Sequence, residues 1–317
     1  MTRQDYEVDL WLVGSGPMAQ AYAAVLDDLG LDFRVIGRSQ QSAEAFEAVT
    51  GHPVKTAGVR SAIKSSYAPS RAIVAVGVDQ LAGVACELLD AGTKRILLEK
   101  PGAMSLKELE QVDDSAGSAT VMIAYNRRHY ASTAAARRMV AEDGGVTSFA
   151  FEVTEWPHAT EPTQVAPTIR KRWFLAQSSH VVDLAFHIGG TPVDWKCWQS
   201  GSLPWHPESA RFSGAGLTTR GATFGFHGDW EAPGRWSLDV MTRRRRLVFR
   251  PLEKLQVTSL GSTESLEMAI DDHFDVVFKP GLREQTRLFL DDDDSISCTL
   301  EEQLANMAIY EKMAGYQ

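Results

Sequence analysis

The sequence predicts an α/β protein in which an N-terminal doubly wound parallel sheet is followed by an α+β region with an open, mainly antiparallel sheet. Three observations carry this. Short apolar runs alternate with amphipathic helical segments up to about residue 125, the pattern of parallel strands joined by crossover helices. A glycine turn links the first run to the first helix. Beyond residue 145 the pattern changes to alternating apolar and polar residues broken by turn signals, which marks antiparallel strands. A chain of 317 residues also exceeds the size at which a single core keeps growing, so two domains are expected, over 1–128 and 129–317.

In chain order, Val8 to Val13 is a strand-forming run that leads into Gly14-Ser15-Gly16-Pro17-Met18-Ala19 and an amphipathic helix. Phe33 to Ile36 is the second strand, which completes a βαβ unit. Residues 71–78 read as a strand, 80–92 as a helix closed by Gly92, and 95–100 as the next strand. Ser105 with Glu108 three residues later is a capping-box signature, and the strand ATVMIAY follows that helix. The alternating stretches SFAFEVTEW, TFGFHGDW, RWSLDVMT and RLVFR belong to the second region, with a helix around His180 to Ile188. The run CTLEEQLANMAIYEKMAG reads as a final helix, over about 299–317, that can pack back on the first domain.

Composition narrows the function. Hydrophobic content of 44% and charged content of 23% are those of an ordinary globular protein. Cys86, Cys197 and Cys298 form no CxxC pair, which argues against a structural zinc site or a disulfide framework and fits a reducing compartment. Neither a leader peptide nor a long apolar segment is recognisable, so a cytoplasmic location without membrane insertion is expected. A net charge of -9 disfavours nucleic acid as a partner. The basic run Arg243 to Arg246 lacks interleaved aromatics, and the acidic run Asp291 to Asp294 reads as a solvated loop without the glycine and terminal glutamate of a calcium loop.

Gly14 and Gly16 supply a turn without side chains, through which backbone N–H groups at a helix start can approach a dinucleotide pyrophosphate. Ala19 is an accepted small residue at the third position of the fingerprint. Gly14, Ser15, Gly16, Pro17 and Met18 are therefore candidate cofactor contacts, as are Val76 and Gly77 at the end of the strand over 71–78. The second strand ends in Gly37-Arg38-Ser39 with no acid to hold a ribose hydroxyl. Arg38 and Ser39 suit a 2'-phosphate, so NADP is favoured over NAD.

Glu99-Lys100-Pro101 lies at the carboxyl end of a parallel strand, where open α/β sheets put their ligands. His180, Asp183 and His187 share one face of a helix through their i, i+3, i+7 spacing. That spacing also allows a metal.

The order GxGxxA, Glu99-Lys100-Pro101, Tyr125-Asn126-Arg127-Arg128, Asp183-x-x-x-His187 resembles the glucose-fructose oxidoreductase / inositol dehydrogenase / MocA family over most of the chain. The resemblance implies no metal and a catalytic trio of Lys100, Asp183 and His187 beside a nicotinamide. His187 would take the hydroxyl proton, Lys100 would stabilise the oxygen, and Asp183 would orient the trio and balance its charge. Glu99, Lys100, Pro101 and Asn126 would then join the cofactor contacts, and Lys100, Tyr125, Arg127, His180, Asp183 and His187 the substrate contacts. Family members often carry glycines ahead of the Asp, whereas this chain has Gln177-Ser178-Ser179-His180, so His180 reads either as a substrate contact or as a core histidine. Trp156, His158, Arg170, Arg172 and Trp173 are available for an opposite wall, with Arg172 and Trp173 preferred.

The activity implied is reversible oxidation of a secondary alcohol on a polyol, sugar or sugar derivative by a small-molecule dehydrogenase. Reduction of a non-sugar double bond or imine, and a non-catalytic NAD(P)-sensing regulatory protein, are the rival readings. A homo-oligomer, dimer or tetramer, is implied by the resemblance alone.

Overall fold

The computed structural model describes residues 9–160 and 165–316, so the expected strand start at Val8 lies outside the described residues. The chain forms two compact units. One comprises the chain through Ala124 together with Leu282–Leu304, the other Tyr125–Gly281 and the chain from Ala305 onward. The boundary expected at residue 128 thus falls at Ala124, and a later segment returns to the first unit.

The first unit is built on strands β1 (Leu10–Val13), β2 (Arg34–Ile36), β3 (Val54–Lys55), β4 (Arg71–Val74), β5 (Arg95–Glu99) and β6 (Thr120–Ala124). They are parallel, in the order β6-β5-β4-β1-β2-β3, the doubly wound arrangement. Strands covered on both faces become continuous apolar runs, and all four residues of β1 are buried. Helices α1 (Pro17–Asp28), α2 (Gln40–Thr50), α3 (Gly58–Ser65), α4 (Leu81–Asp90) and α5 (Leu106–Ala116) make the crossovers. The strand expected over 71–78 ends at Val74, because the chain turns toward α4 with the Gln80 amide donating to the Gly77 carbonyl at 2.8 Å. At the start of α5, Ser105 Oγ accepts from the Glu108 amide at 3.3 Å. Glu108 Oε2 accepts from the Met104 amide at 2.8 Å, one residue earlier than the usual capping box.

Two features of this unit depart from the sequence reading. Cys298–Thr299 is an antiparallel edge strand on β6 rather than helix, and the final helix starts at Leu300, where Thr299 Oγ1 accepts from the Glu302 amide at 3.1 Å and caps it. The helix Leu282–Leu290, unanticipated, buries Leu282, Leu288 and Phe289, and its Gln285 donates to the Tyr22 hydroxyl at 3.0 Å. The acidic run that follows is not simply solvated. Asp292 holds Arg71 through both oxygens at 2.8 and 3.0 Å, and Asp294 pairs with Arg95.

In the second unit, α6 (Ala131–Glu142) precedes a sheet of β7 (Ser148–Glu152), β8 (Pro192–Ser200), β9 (Arg211–Thr218), β10 (Thr223–Asp229), β11 (Ser237–Met241), β12 (Arg245–Phe249), β13 (Gln256–Ser259) and β14 (Leu266–Glu267). The order is β14-β13-β12-β11-β7-β10-β9-β8, antiparallel except for the parallel β7–β10 pair. Period-2 alternation puts Phe149 and Phe151 of β7 beside Phe224 and Phe226 of β10, with ring centroids 5.6 and 5.4 Å apart. The helix Ser179–Gly189 lays Phe186 edge-on across these rings. It approaches so closely at Gly189 that a Cβ there would stand 2.2 Å from the Phe149 ring. Each buried phenylalanine contributes about 2 to 3 kcal/mol, so this contact fixes the helix on the sheet. Of the basic run, Arg245 pairs with Glu142 at 3.1 Å and Arg246 with Asp239, while Arg243 and Arg244 face solvent. Among the described residues, no helix is long and apolar enough to cross a membrane.

Candidate active site

The strand order of the first sheet reverses between β1 and β4, and ligands of open α/β sheets bind outside the carboxyl ends at such a point. Gly14 follows β1 with φ +126°, and a Cβ on it would lie 2.2 Å from the carbonyl oxygen of Ala75, just past β4. No other residue fits. Gly16 is the N-cap of α1 without a side-chain cap, Pro17 takes the first helical position, and a Cβ on Gly16 would meet no atom within 4 Å. The first amides of α1 therefore face open space, which is what an incoming pyrophosphate requires. Beside them is a crevice of about 460 Å³ lined in part by Gly14, Arg38, Arg60, Val76 and Gln80.

Ser15 is half-buried with its hydroxyl toward Gly37, Met18 is half-buried in the first turn of α1, and Gly77 is exposed beyond Val76. Arg38 is exposed at the rim. Ser39 caps α2 by accepting from the Ser42 amide at 3.4 Å. Arg60, not anticipated from sequence, lines the same crevice and pairs with Glu87 at 3.0 Å. The turn, the open helix terminus and the cationic rim fit a nicotinamide dinucleotide.

At the end of β5, Lys100 is buried, and the Lys100–Pro101 peptide is cis. Glu99 Oε1 accepts from the Tyr22 hydroxyl at 2.9 Å, which ties this carboxylate to α1. Burial and the neighbouring Glu99 hold the Tyr22 phenol well above its ordinary pKa. The Pro101 carbonyl accepts from Gln303 Nε2 at 2.8 Å.

In the second unit a 3₁₀ turn, Asn126–His129, follows β6. Successive residues of such a turn point about 120° apart, and the two arginines separate accordingly. Arg128 grips Asp183 with Nε to Oδ2 at 2.9 Å and Nη2 to Oδ1 at 2.5 Å, and both side chains are almost fully buried. Arg127 instead lies over the Trp236 ring, 4.8 Å from its centroid. Asn126 donates to the Pro280 carbonyl at 2.9 Å and so holds a turn of its own unit. Tyr125 is buried edge-on to His180, whose ring also faces Trp236.

One turn beyond Asp183, His187 Nε2 is buried without a hydrogen-bond partner among the described residues. Burial, reinforced by Arg128, Arg137 and Arg220, holds its pKa well below the ordinary value, so the imidazole is neutral. Trp173 is buried beside Trp205. Arg172, expected in the wall, is taken up by Glu311 at 2.9 Å and by the face of Tyr316, which leaves Trp173 as the wall candidate of that pair. Trp156 is half-exposed and donates to the Gly234 carbonyl at 2.7 Å.

Glu155 was missed. Its carboxyl accepts from Ser178 at 2.7 Å, lies 3.6 Å from Arg235, and is pushed up to about 7, chiefly by burial. Local periodicity does not mark it, because β7 ends at Glu152 and Val153, Thr154 and Glu155 are all buried in succession.

The fold and crevice of the first unit define a dinucleotide-binding oxidoreductase. Residues 9–127 match the family of oxidoreductases with an NAD-binding Rossmann fold, that of glucose-fructose oxidoreductase, inositol dehydrogenase and MocA. No curated protein matches the sequence. Solved structures with the same fold include levoglucosan dehydrogenase in complex with NADH, at 16% identity, 96% of each chain covered and a TM-score of 0.80. UDP-N-acetylglucosamine 3-dehydrogenase from Acidithiobacillus ferrooxidans is similar at 12% identity, 97% of each chain and a TM-score of 0.74. A putative NADPH-dependent oxidoreductase from Desulfitobacterium hafniense is similar at 15% identity, 98% of this chain and 95% of that one, with a TM-score of 0.80.

Proposed function

We propose that the protein is an NAD(P)-dependent dehydrogenase that interconverts a secondary alcohol and a ketone on a polyol, sugar or sugar derivative. The observation that carries this reading is His187: a buried, neutral imidazole whose Nε2 has no partner among the described residues, one turn from a fixed ion pair. A buried polar atom left unpaired costs about 1 to 3 kcal/mol, and a neutral imidazole is the form that accepts a proton. The nicotinamide supplies the hydride acceptor or donor. His187 takes the hydroxyl proton at Nε2, Lys100 stabilises charge developing on the substrate oxygen, and Asp183, held by Arg128, keeps the His187 helix in register. That levoglucosan dehydrogenase and a nucleotide-sugar 3-dehydrogenase share the fold supports a sugar or polyol substrate.

NADP is the favoured cofactor. Arg38 and Arg60 stand at the crevice where β2 ends, and no carboxylate follows β2 to bind a ribose 2'-hydroxyl. The soluble, cytoplasmic and homo-oligomeric character expected from the sequence belongs to this proposal. The roles are tested by Lys100→Met and His187→Ala. Each should abolish turnover while NADPH affinity stays within about twofold of wild type, since neither side chain is asked to bind the cofactor tightly. Near-normal turnover in either variant removes that residue from its role.

A further inference from the structure

Glu87 is the one acid among the described residues that line the cofactor crevice, and the cofactor choice proposed above gives it nothing to do. The other charged residues of that lining are Arg38 and Arg60. Arg38 is exposed and forms no ion pair among the described residues, whereas Arg60 Nη2 lies 3.0 Å from Glu87 Oε1. The Arg60 side chain is 76% exposed, and ion pairs this open to water are weak. The backbone keeps the two arginines on adjoining stretches of wall. The Gly58 amide at the start of α3 donates to the Gly37 carbonyl at 2.9 Å, and the Gly37 amide donates to the Lys55 carbonyl at 2.9 Å, so the first turn of α3 is braced to the end of β2.

The α4 side of the crevice carries a second oddity. Gln80, Gly83, Val84 and Glu87 line it at i, i+3, i+4 and i+7, one stripe of α4 and its N-cap. Gly83 interrupts the stripe. Glycine is the poorest helix former after proline, yet the backbone at Gly83 has no left-handed φ and a Cβ there would meet no atom within 4 Å. Nothing inside the fold demands a glycine at this exposed position, and the missing side chain leaves that stretch of the crevice wall flat.

We infer that the adenosine end of the dinucleotide lies along this flat stretch of α4, and that Arg60 leaves Glu87 to clamp the 2'-phosphate of NADP together with Arg38. The inference rests on the NADP reading above and names the residues that set its strength. A 2'-phosphate carries about 1.5 to 2 negative charges at neutral pH, and guanidinium forks match its oxygens. Two arginines against one glutamate leave a single net positive charge at the rim, so Glu87 repels the phosphate and competes with it for Arg60. NADH offers only hydroxyls at that ribose and leaves the Arg60–Glu87 pair closed. Glu87 therefore moderates the preference for NADP, and Arg60 strengthens it.

Adenosine 2',5'-bisphosphate and 5'-AMP carry the adenosine end with and without the 2'-phosphate. Their binding to the whole protein is measured by calorimetry at low ionic strength, where surface charges are least screened. Wild type should bind the bisphosphate more tightly than 5'-AMP. Arg60→Gln should weaken the bisphosphate about tenfold, the scale of one charge-assisted hydrogen bond, and leave 5'-AMP within about twofold. Glu87→Gln should tighten the bisphosphate about threefold or more, with 5'-AMP again within about twofold, because the rim gains a net positive charge. Gly83→Ala should keep or raise the Tm while weakening both ligands about tenfold, the scale of one methyl group in a binding slot. A Glu87→Gln protein that binds the bisphosphate no more tightly than wild type, an Arg60→Gln loss that is absent or shared equally by 5'-AMP, or a Gly83→Ala protein with normal affinities would each overturn the inference. Wild type that binds the two fragments equally would instead overturn the NADP reading itself, so the two failures are distinguishable.

Discussion

The Arg128 guanidinium and the Asp183 carboxylate form a two-pronged ion pair with side-chain exposures of 2% and 0%. It joins the turn after β6 to the middle of the Ser179–Gly189 helix. Removing one partner of such a pair leaves a buried charge and costs about 3 to 5 kcal/mol, whereas replacing both by apolar groups costs far less. Asp183→Asn and Arg128→Met should each lower stability by that amount in denaturant melts, and Asp183→Leu/Arg128→Met should be less destabilised than either. A double variant as unstable as the sum of the two would show that the pair does not act as a unit.

The two glycines of the first turn make separable predictions. Gly14→Ala forces a Cβ to 2.2 Å from the Ala75 carbonyl oxygen at φ +126°, so it should cost several kcal/mol or prevent folding. Gly16→Ala meets nothing within 4 Å and should keep its Tm within a few degrees while losing NADPH affinity. Thermal melts and fluorescence titration of both variants check this. A Gly16→Ala protein with normal cofactor affinity would remove the turn from the binding site.

Stability should depend on pH in two opposing ways. His129 is depressed to about 3 by burial, with Arg128 and Arg137 adding to it. Its folded pKa lies below the unfolded value of 6.5, so its contribution is whole above 6.5 and is lost as pH falls, by about 1.4 kcal/mol per unit. His187 acts in the same direction. Glu155 is raised from 4.5 to about 7, so stability falls as pH rises through that window. His129→Gln should flatten the acid limb and Glu155→Gln the limb above pH 4.5, both read from urea midpoints between pH 4.5 and 8. Limbs unchanged by the substitutions would contradict these assignments.

Cofactor choice turns on the rim of the crevice. Arg38→Asp should weaken NADPH binding far more than NADH binding, because the carboxylate repels a 2'-phosphate and accepts from a 2'-hydroxyl. Equal losses for both cofactors would remove Arg38 from this role.

The first sheet, the glycine turn and the helix around Asp183 were legible because each is local: a strand run, a turn needing positive φ, and a 3.6-residue period. What escaped depends on distant partners. Leu282–Leu290 returns as a helix to the unit that begins with β1, Cys298–Thr299 adds to the edge of its sheet on β6, and two residues of strand are too few to show a period. Adjacent arginines look alike in a sequence, yet the 3₁₀ turn sends Arg127 to Trp236 and Arg128 to Asp183. Arg172 looked free to face a pocket until Glu311 supplied its partner. Glu155 was hidden by its charge and by its place just past the end of β7, since an acid is rarely assigned to a buried position without a period to mark it.

The central claim is that this protein binds a nicotinamide dinucleotide and transfers hydride to or from a sugar or polyol. Titration with NADPH and NADH by fluorescence, followed on the same sample by a screen of polyols, sugars and sugar acids for change in nicotinamide absorbance, tests it most directly. Saturable binding, tighter for NADPH, with turnover on at least one of these compounds is the predicted result. Absence of binding by either cofactor would contradict the site built on Gly14 and Gly16, and tight binding without turnover on any compound would contradict the assigned reaction.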